Sequence, residues 1–474
     1  MSARAPKPPR RGGPGGGKPG KGSRSARGAK GSGSGDRVRR RAVEVLVAVE
    51  GGRFAGELLA SQDDRFLREL VLGVLRRRLT LDAVHDTWGN RPAGDLDPEV
   101  RAAVRIGLYQ VLFMDGVPPH AAVSTAASAV RASGRGYVNA VLRSMLRESR
   151  KLPEAEDRGG ASPTKRLHRP GRSVVFFSRA VFPDPEQDRI GWLSVVHSHP
   201  RLLVERWVAR MGEERAMARM EAGNVPAPIT LRPRAGRSNA EELVARLRHE
   251  EIAADVVSRP DGTDAVSVGT AARGLLSGRT FREGLFSVQD TEQMDAAEIL
   301  DPQPGEVVWD ACAAPGGKAG QLAELQSSRA TGAHEGRVVA TDLSTERLQR
   351  VGENLARLGL EDDVLVAQHD VFGGEAPPGR PERGFDAILL DAPCSNTAVL
   401  GRRPEARWRL EADTFARMAE LQGRMLAAAV PHLAPGGRLV YSVCSLEPEE
   451  GAELAAANGL VATRSPLVWL RPGS

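Results

Sequence analysis

The sequence predicts a multidomain chain: an all-helical N-terminal part, a small α+β middle module and a C-terminal α/β domain built on a doubly wound parallel sheet. Three observations predict it. Apolar residues recur at helical spacing from Arg37 to about Leu152, helix and strand patterns mix between 190 and 290, and strand-like runs alternate with amphipathic helices beyond Thr291. A length of 474 residues suits two or three domains, and no apolar run is long enough to cross a bilayer. Three cysteines cannot build a disulfide framework, and the N-terminus lacks the apolar core of a secretory signal. A cytoplasmic protein without a membrane partner is therefore expected.

Residues 1–35 carry nine basic side chains (Arg4, Lys7, Arg10, Arg11, Lys18, Lys21, Arg24, Arg27, Lys30) and no acidic one. The whole chain has a net charge of +6, so the remainder carries +6 minus +9, or −3. Gly, Pro, Ser and basic residues dominate this stretch, which predicts a disordered tail that either touches RNA weakly or only aids solubility. From 36 to 152 one helical face is formed by Val38, Ala42, Val45, Leu46 and Val49, another by Leu67, Leu70, Val71, Val74 and Leu75, and a third by Val100, Val104, Leu108, Val111 and Leu112. Residues 153–189 lack sustained periodicity and read as a linker. From 190 to 290 come an amphipathic stretch near Leu202 to Met220, a β-like ITLRPR, a helical Ala240 to His249 and a β-like Ala265 to Val268. His197 and His199 stand without a Cys or carboxylate set at ligand spacing, so they read as structural, and no metal is expected.

Five strand-like segments follow between 291 and 474: VVWDAC (307–312), GRVVATDL (336–343), DVLVAQHD (363–370), FDAILLDAPC (385–394) and GRLVYSVCS (437–445). Leu348, Val351, Leu355 and Leu358 make an intervening helix amphipathic, with Ser344 as its N-cap. A sheet of this kind binds ligands at the carboxyl ends of its strands. There the first strand runs into Asp310, Ala311, Cys312, Ala313, Ala314, Pro315, Gly316, Gly317 and Lys318, a Gly-rich turn without GxGxxG or GxxxxGK[ST] spacing. That spacing argues against a pyrophosphate-binding NAD enzyme or an NTPase. Asp342 ends the second strand, where a carboxylate can accept from ribose hydroxyls, and Asp370 ends the third, beside the expected adenine. The pattern fits an adenosine cofactor without phosphates. Cys394 and Cys444 follow the fourth and fifth strands, so two thiols converge on one cleft and suggest covalent catalysis. Buried packing, the ordinary role of a free cysteine, is most credible for Cys312.

DACAAPGGK, DAPCSNT and YSVCSLEPEE resemble motifs of the RNA cytosine-5 methyltransferases of the RsmB/NOP superfamily, and specifically its RsmB/Sun type, which methylates 16S ribosomal RNA. GYVNAVLR (136–143) resembles the NusB-like RNA-binding domain of that family, and WLSVVHSHPRLLVERW (192–207) with SVQD (287–290) resembles its middle module. The resemblance implies a NusB-like domain over 36–152, a small connecting module over 190–290 and a Rossmann-like methyltransferase domain over 291–474. It implies S-adenosyl-L-methionine as methyl donor, bound by the segment Cys312 to Lys318 with Asp342, Asp370 and Asp391. It further implies Cys444 as nucleophile, Cys394 as the thiol for proton removal and enzyme release, and Asp391 as the group that binds cytosine. The implied partner is 16S rRNA or a small-subunit precursor rather than DNA, and a monomer is expected.

Carbon 5 of cytosine is a poor nucleophile, and thiolate addition at carbon 6 makes it enamine-like. A thiol with a pKa of about 8.5 is only roughly 3% ionised at pH 7, so Cys444 needs positive potential, for which Lys318, Arg402 and Arg403 are candidates. The chain departs from the family pattern at Val443, Ala398 and Gly451, where Thr, Gly and Asn are usual, and it closes on LVATRSPLVWLRPGS instead of a DGFFxAxL-like segment. A shortened or rebuilt final sheet edge is expected. Transfer RNA or another ribosomal position as substrate, and a non-catalytic RNA-binding or assembly factor, stay open as alternatives.

Overall fold

The computed structural model describes residues 32–59, 64–157, 159–270, 272–332 and 336–473. Most of the basic tail lies outside these residues, but the first helix, Ser32–Glu50, begins inside the stretch assigned to the tail. It packs with helices Arg65–Arg76, Arg78–Trp88, Pro98–Phe113, Pro119–Ser128 and Ala132–Arg147. The three faces read from the sequence turn inward: Val45, Leu70, Val71, Val104 and Leu108 are all at most 1% exposed. Caps set the boundaries where the sequence offers them, as Asp64 accepts from the backbone of Phe66 and Leu67, and Asp97 precedes Pro98 at the first helical position.

The segment read as a linker folds instead into a three-stranded antiparallel sheet of Ser149–Pro153, Arg166–Arg169 and Ser173–Phe177, with the last strand in the centre. Its strands are four or five residues long, too short for periodicity to register. Leu167, Val175, Phe177 and Phe182 complete the core of the helical domain. The strand at 149–153 also ends the helical part at Arg147, five residues short of the expected boundary.

The middle module opens with helices Arg189–His197, Arg201–Met211 and Glu213–Asn224. Gly212, at φ +82°, splits the single amphipathic stretch into the last two. A four-stranded antiparallel sheet follows, in the order Ala254–Ser258, Asp264–Val268, Ile229–Pro233, Phe286–Val288, backed by helix Ala240–His249.

The C-terminal domain holds a seven-stranded sheet, its strands numbered here within that sheet: β1 Val307–Asp310, β2 Arg337–Asp342, β3 Val364–Gln368, β4 Phe385–Asp391, β5 Leu433–Ser442, β6 Val461–Ala462 and β7 Val468–Arg471. The order is β3-β2-β1-β4-β5-β7-β6, with the first five parallel and β7 antiparallel to both β5 and β6. The final edge is thus present but short, as β6 has two residues. Helices Thr291–Leu300, Gly317–Arg329 and Thr345–Leu358 bury Ala297, Leu322, Val351 and Leu355 in one core cluster with sheet residues. Helix Thr414–Ala429 buries Met425, Leu426 and Ala429 in a separate cluster built on other sheet residues. The chain reverses direction across the sheet between β1 and β4, which opens a crevice at their carboxyl ends.

Candidate active site

The crevice brings together most of the residues expected there. After β1, Gly316 adopts φ +99°, and a Cβ at this position would meet the backbone of Val351 at 3.2 Å, so only glycine is comfortable. Helix Gly317–Arg329 starts immediately beyond, directing its N-terminal amides toward the turn. At the end of β2, Asp342 is 4% exposed and accepts from Ser344 N (3.0 Å) and Arg347 Nη1 (3.3 Å). Arg347 also donates to Ala314 O (3.1 Å), so one guanidinium spans the β1 turn and the β2 carboxylate. Asp370 lies two residues past β3, exposed, and caps the amide of Phe372. Leu343 and Phe372 leave 65% and 41% of their surface exposed beside these two carboxylates. A close-approach glycine, a helix N-terminus, a ribose-type carboxylate and flanking apolar side chains suit an adenosine group without a pyrophosphate cradle.

On the other side of the crevice the two thiols meet. Cys444 N donates to Cys394 Sγ at 3.2 Å, which joins the turns that follow β4 and β5. The Cys444 thiol is held below the ordinary value, chiefly by its hydrogen bond with Cys394. Lys318 and Arg403 add to this, against burial and the Asp391 carboxylate. Cys394 is pushed well up by Cys444 itself and then by burial. The pair therefore divides into one thiolate-prone sulfur and one protonated sulfur. Cys312 is raised by burial and by Asp310, and packs against the apolar cluster behind the sheet.

Of the three cations proposed from the sequence, Lys318 sits in the centre. Its ammonium donates to Asp391 Oδ2 at 2.6 Å and to Gln293 Oε1 at 2.6 Å, and Asp391 Oδ1 accepts from Ser442 Oγ at 2.7 Å. Arg403 faces Cys444 electrostatically and also reaches Asn396 Oδ1 at 3.4 Å. Arg402 is instead paired with Asp290. His197 and His199 are buried, His197 lowered to about 4 and His199 well below the ordinary value by burial, with the buried Arg407 beside His199. A cluster of Asp261, Asp295 and Glu298 is crossed by Arg259 and Arg464, which donate to all three carboxylates.

Three further residues enter the site: Gln293, outside every motif quoted above, and Glu447 and Glu450, which lie in the YSVCSLEPEE segment but take no role from the sequence alone. Gln293, on helix Thr291–Leu300, donates through Nε2 to Cys444 Sγ. Glu450 is fully buried and accepts from Ser395 N (2.8 Å), Ser445 Oγ (2.8 Å) and Gln422 Nε2 (3.1 Å), so one carboxylate ties the two cysteine turns together. Glu447, 1% exposed, accepts from Trp207 Nε1 at 3.0 Å and from Arg206 and Arg210, each at 3.2 Å. Val443 is 1% exposed within the apolar cluster.

Comparison with known proteins follows this architecture. Residues 297–460 match the family described as 16S rRNA methyltransferase RsmB/F, residues 36–147 the NusB family, and residues 199–270 the ferredoxin-like domain of the RsmF/B-like methyltransferases. The chain is 31% identical to the probable ribosomal RNA small subunit methyltransferase B of Synechocystis sp., covering 83% of this chain and 80% of that one. It is 33% identical to ribosomal RNA small subunit methyltransferase B of Klebsiella pneumoniae, covering 84% and 82%. The crystal structure of PH0851, 24% identical over 91% of this chain and 92% of that one, has the same fold with a TM-score of 0.69. With its three domains, its methyltransferase sheet and relatives of this identity over most of its length, the chain belongs to the RsmB/F family of 16S rRNA methyltransferases, as an S-adenosylmethionine-dependent RNA (cytosine-5) methyltransferase of that type.

Proposed function

We propose that the chain methylates carbon 5 of a cytidine in 16S rRNA, with Cys444 as nucleophile and Cys394 as the second thiol. The observation that carries this reading is the paired cysteines in unequal states, beside an Asp391–Lys318 ion pair, at the mouth of a cofactor-type crevice. The segment Cys312 to Lys318 with Asp342, Asp370 and Asp391 would hold S-adenosylmethionine, which supplies an electrophilic methyl sulfonium when bound. Cys444 adds to carbon 6 of the cytosine, forming a C–S bond and moving an electron pair toward carbon 5. Asp391 receives the cytosine edge and favours a proton on its ring nitrogen. Carbon 5, so activated, would be the nucleophile toward the methyl group that the bound donor would supply, with the donor's sulfur as leaving group.

The second half follows from the coupling of the two sulfurs. Cys394 is kept protonated chiefly by its hydrogen bond with Cys444, then by burial and by the Cys444 charge. Once Cys444 is bonded to carbon 6 that charge is gone, so Cys394 can release its own proton to solvent and accept the one on carbon 5. The electrons of the broken C–H bond reform the ring double bond and expel Cys444 as thiolate. One proton leaves overall. The target base must be unstacked to reach this site, which favours a single-stranded loop or open junction.

The test is isotopic methyl transfer to unmodified small-subunit RNA, with bisulfite mapping of the product. Cys444→Ala is expected to abolish transfer, and Cys394→Ala to accumulate a covalent RNA adduct that migrates slowly in denaturing gels. A fully active Cys444→Ala enzyme would overturn the mechanism, and incorporation into transfer RNA instead would overturn the substrate.

A further inference from the structure

We infer that Gln293 is a catalytic residue, whose amide N–H stabilises the Cys444 thiolate before attack. The inference rests on the reading of Cys444 as nucleophile. Gln293 belongs to helix Thr291–Leu300, which precedes β1, and lies just before residues 297–460, the segment that matches the methyltransferase family. Its carboxamide lies between two partners, Lys318 Nζ and Cys444 Sγ.

The orientation of the amide follows from chemistry. An ammonium carries three donors and no acceptor, so Lys318 can only face the carboxamide oxygen. With Oε1 committed to Lys318 at 2.6 Å, the NH2 group must point at the sulfur. A donor aimed at sulfur favours the anion over the thiol, because charge-assisted hydrogen bonds are the stronger ones. Lys318 is itself anchored on Asp391, so Lys318, Gln293 and Cys444 form a fixed chain that starts at the carboxylate expected to receive the base. The amide thereby carries positive potential from the ammonium to the nucleophile without letting the two pair directly.

Gln293 acts alongside the other groups that face Cys444. Cys394 favours ionisation most, through its hydrogen bond with the Cys444 thiol, and its sulfur also accepts the Cys444 amide; Lys318 and Arg403 add to this, and Asp391 opposes it. Gln293 is the side-chain amide among the described residues that donates to the sulfur.

The experiment is the pH profile of iodoacetamide alkylation at Cys444 in the full-length protein, read by peptide mass spectrometry. Peptide mapping resolves Cys444 from Cys312 and Cys394. Gln293→Leu is expected to shift the profile upward by about one pH unit, an approximately tenfold loss of alkylation rate at pH 7. Gln293→Glu keeps the oxygen that Lys318 needs but replaces the donor by a second oxygen, and should shift the profile at least as far. The rate of adduct formation in a Cys394→Ala background should fall in parallel. A folded variant of either kind with the wild-type alkylation profile overturns the proposal. Because alkylation is measured without methyl transfer, that failure is distinct from an active Cys444→Ala enzyme, which would remove the reading beneath it.

Discussion

At the residue scale, the crevice concentrates groups whose protonation differs from that in water, and Asp310 gives the clearest consequence. Its carboxyl is 1% exposed at the end of β1, and burial, with the Asp391 charge nearby, pushes it up to about 7 against the pull of Lys318. In the unfolded chain the same group titrates near 3.9. Between these values the native state binds more protons than the unfolded one, so stability falls as pH rises from about 4 to about 7, and the loss is complete above that. Asp310→Asn removes this titration while keeping the side-chain shape. Thermal midpoints at pH 5.5 and 8.5 should therefore fall further for the wild type than for the variant, and equal falls would contradict the assignment. The residues that hold such positions differ in how legible they were. Cys394, Cys444, Asp391 and Lys318 stand in contiguous motifs at strand ends, where residue type and place already indicate chemistry. Gln293 is an ordinary polar residue until tertiary packing sets it beside a sulfur, and Glu447 and Glu450, although they share a motif with Cys444, take their roles only from long-range contacts with an indole and with two separate turns. The same contrast explains Arg402 and Arg403: they are adjacent in sequence, yet only contacts decide that one pairs with Asp290 while the other faces Cys444.

At the element scale, helix Arg201–Met211 of the middle module braces the turn that follows Cys444. It presents Arg206, Trp207 and Arg210 to Glu447, three residues beyond Cys444, and Arg206 also reaches Glu449 at 2.6 Å. Trp207 and Glu447 are both buried, so this contact is not a solvated surface pair. Trp207→Phe keeps most of the apolar volume, which sits with Leu193, Leu203 and Phe415, but leaves the carboxylate one donor short. Loss of a hydrogen bond to a buried charge costs about 1.5–3 kcal/mol. Urea denaturation should show a loss of that order, accompanied by reduced methyl transfer with unchanged cofactor affinity. A variant as stable and active as the wild type would show that the helix does not steady the nucleophile turn. Elements of this length were readable from periodicity, and Ala240–His249 has the bounds its pattern predicted. The three strands between 149 and 177 were not, because strands of four or five residues offer too few positions to distinguish a period from chance. Their place is fixed by the helical core that Leu167, Val175 and Phe177 complete, a long-range requirement absent from the local pattern.

At the scale of the whole molecule, the domains converge on the segment that follows Cys394. Arg76 of the helical domain donates to Gly401 O at 2.8 Å, Trp408 donates to Leu75 O at 2.8 Å, and Arg409 donates to Gly52 O and Arg53 O. Arg407, fully buried, is shared with the middle module through Ser198 O, Gly223 O and Asn224 Oδ1. A helical domain that binds RNA would thus be held in fixed register with the thiols, and its contribution to binding should be separable from charge placed at the N-terminus. The chain beyond residue 35 carries −3, whereas nine positive charges lie in residues 4–30. If all nine met single-stranded phosphates, each would release about 0.7 of a counterion, so deleting residues 1–31 would flatten the log–log salt dependence of RNA binding by up to about 6. Binding of a small-subunit RNA fragment should be measured between 50 and about 200 mM salt for both lengths of chain. A slope that does not change would mean that the nine charges contribute solubility and not RNA contact. Methyl transfer at saturating RNA should survive the deletion, because Cys394, Cys444, Asp391, Lys318 and Gln293 are held by contacts made among residues beyond 292.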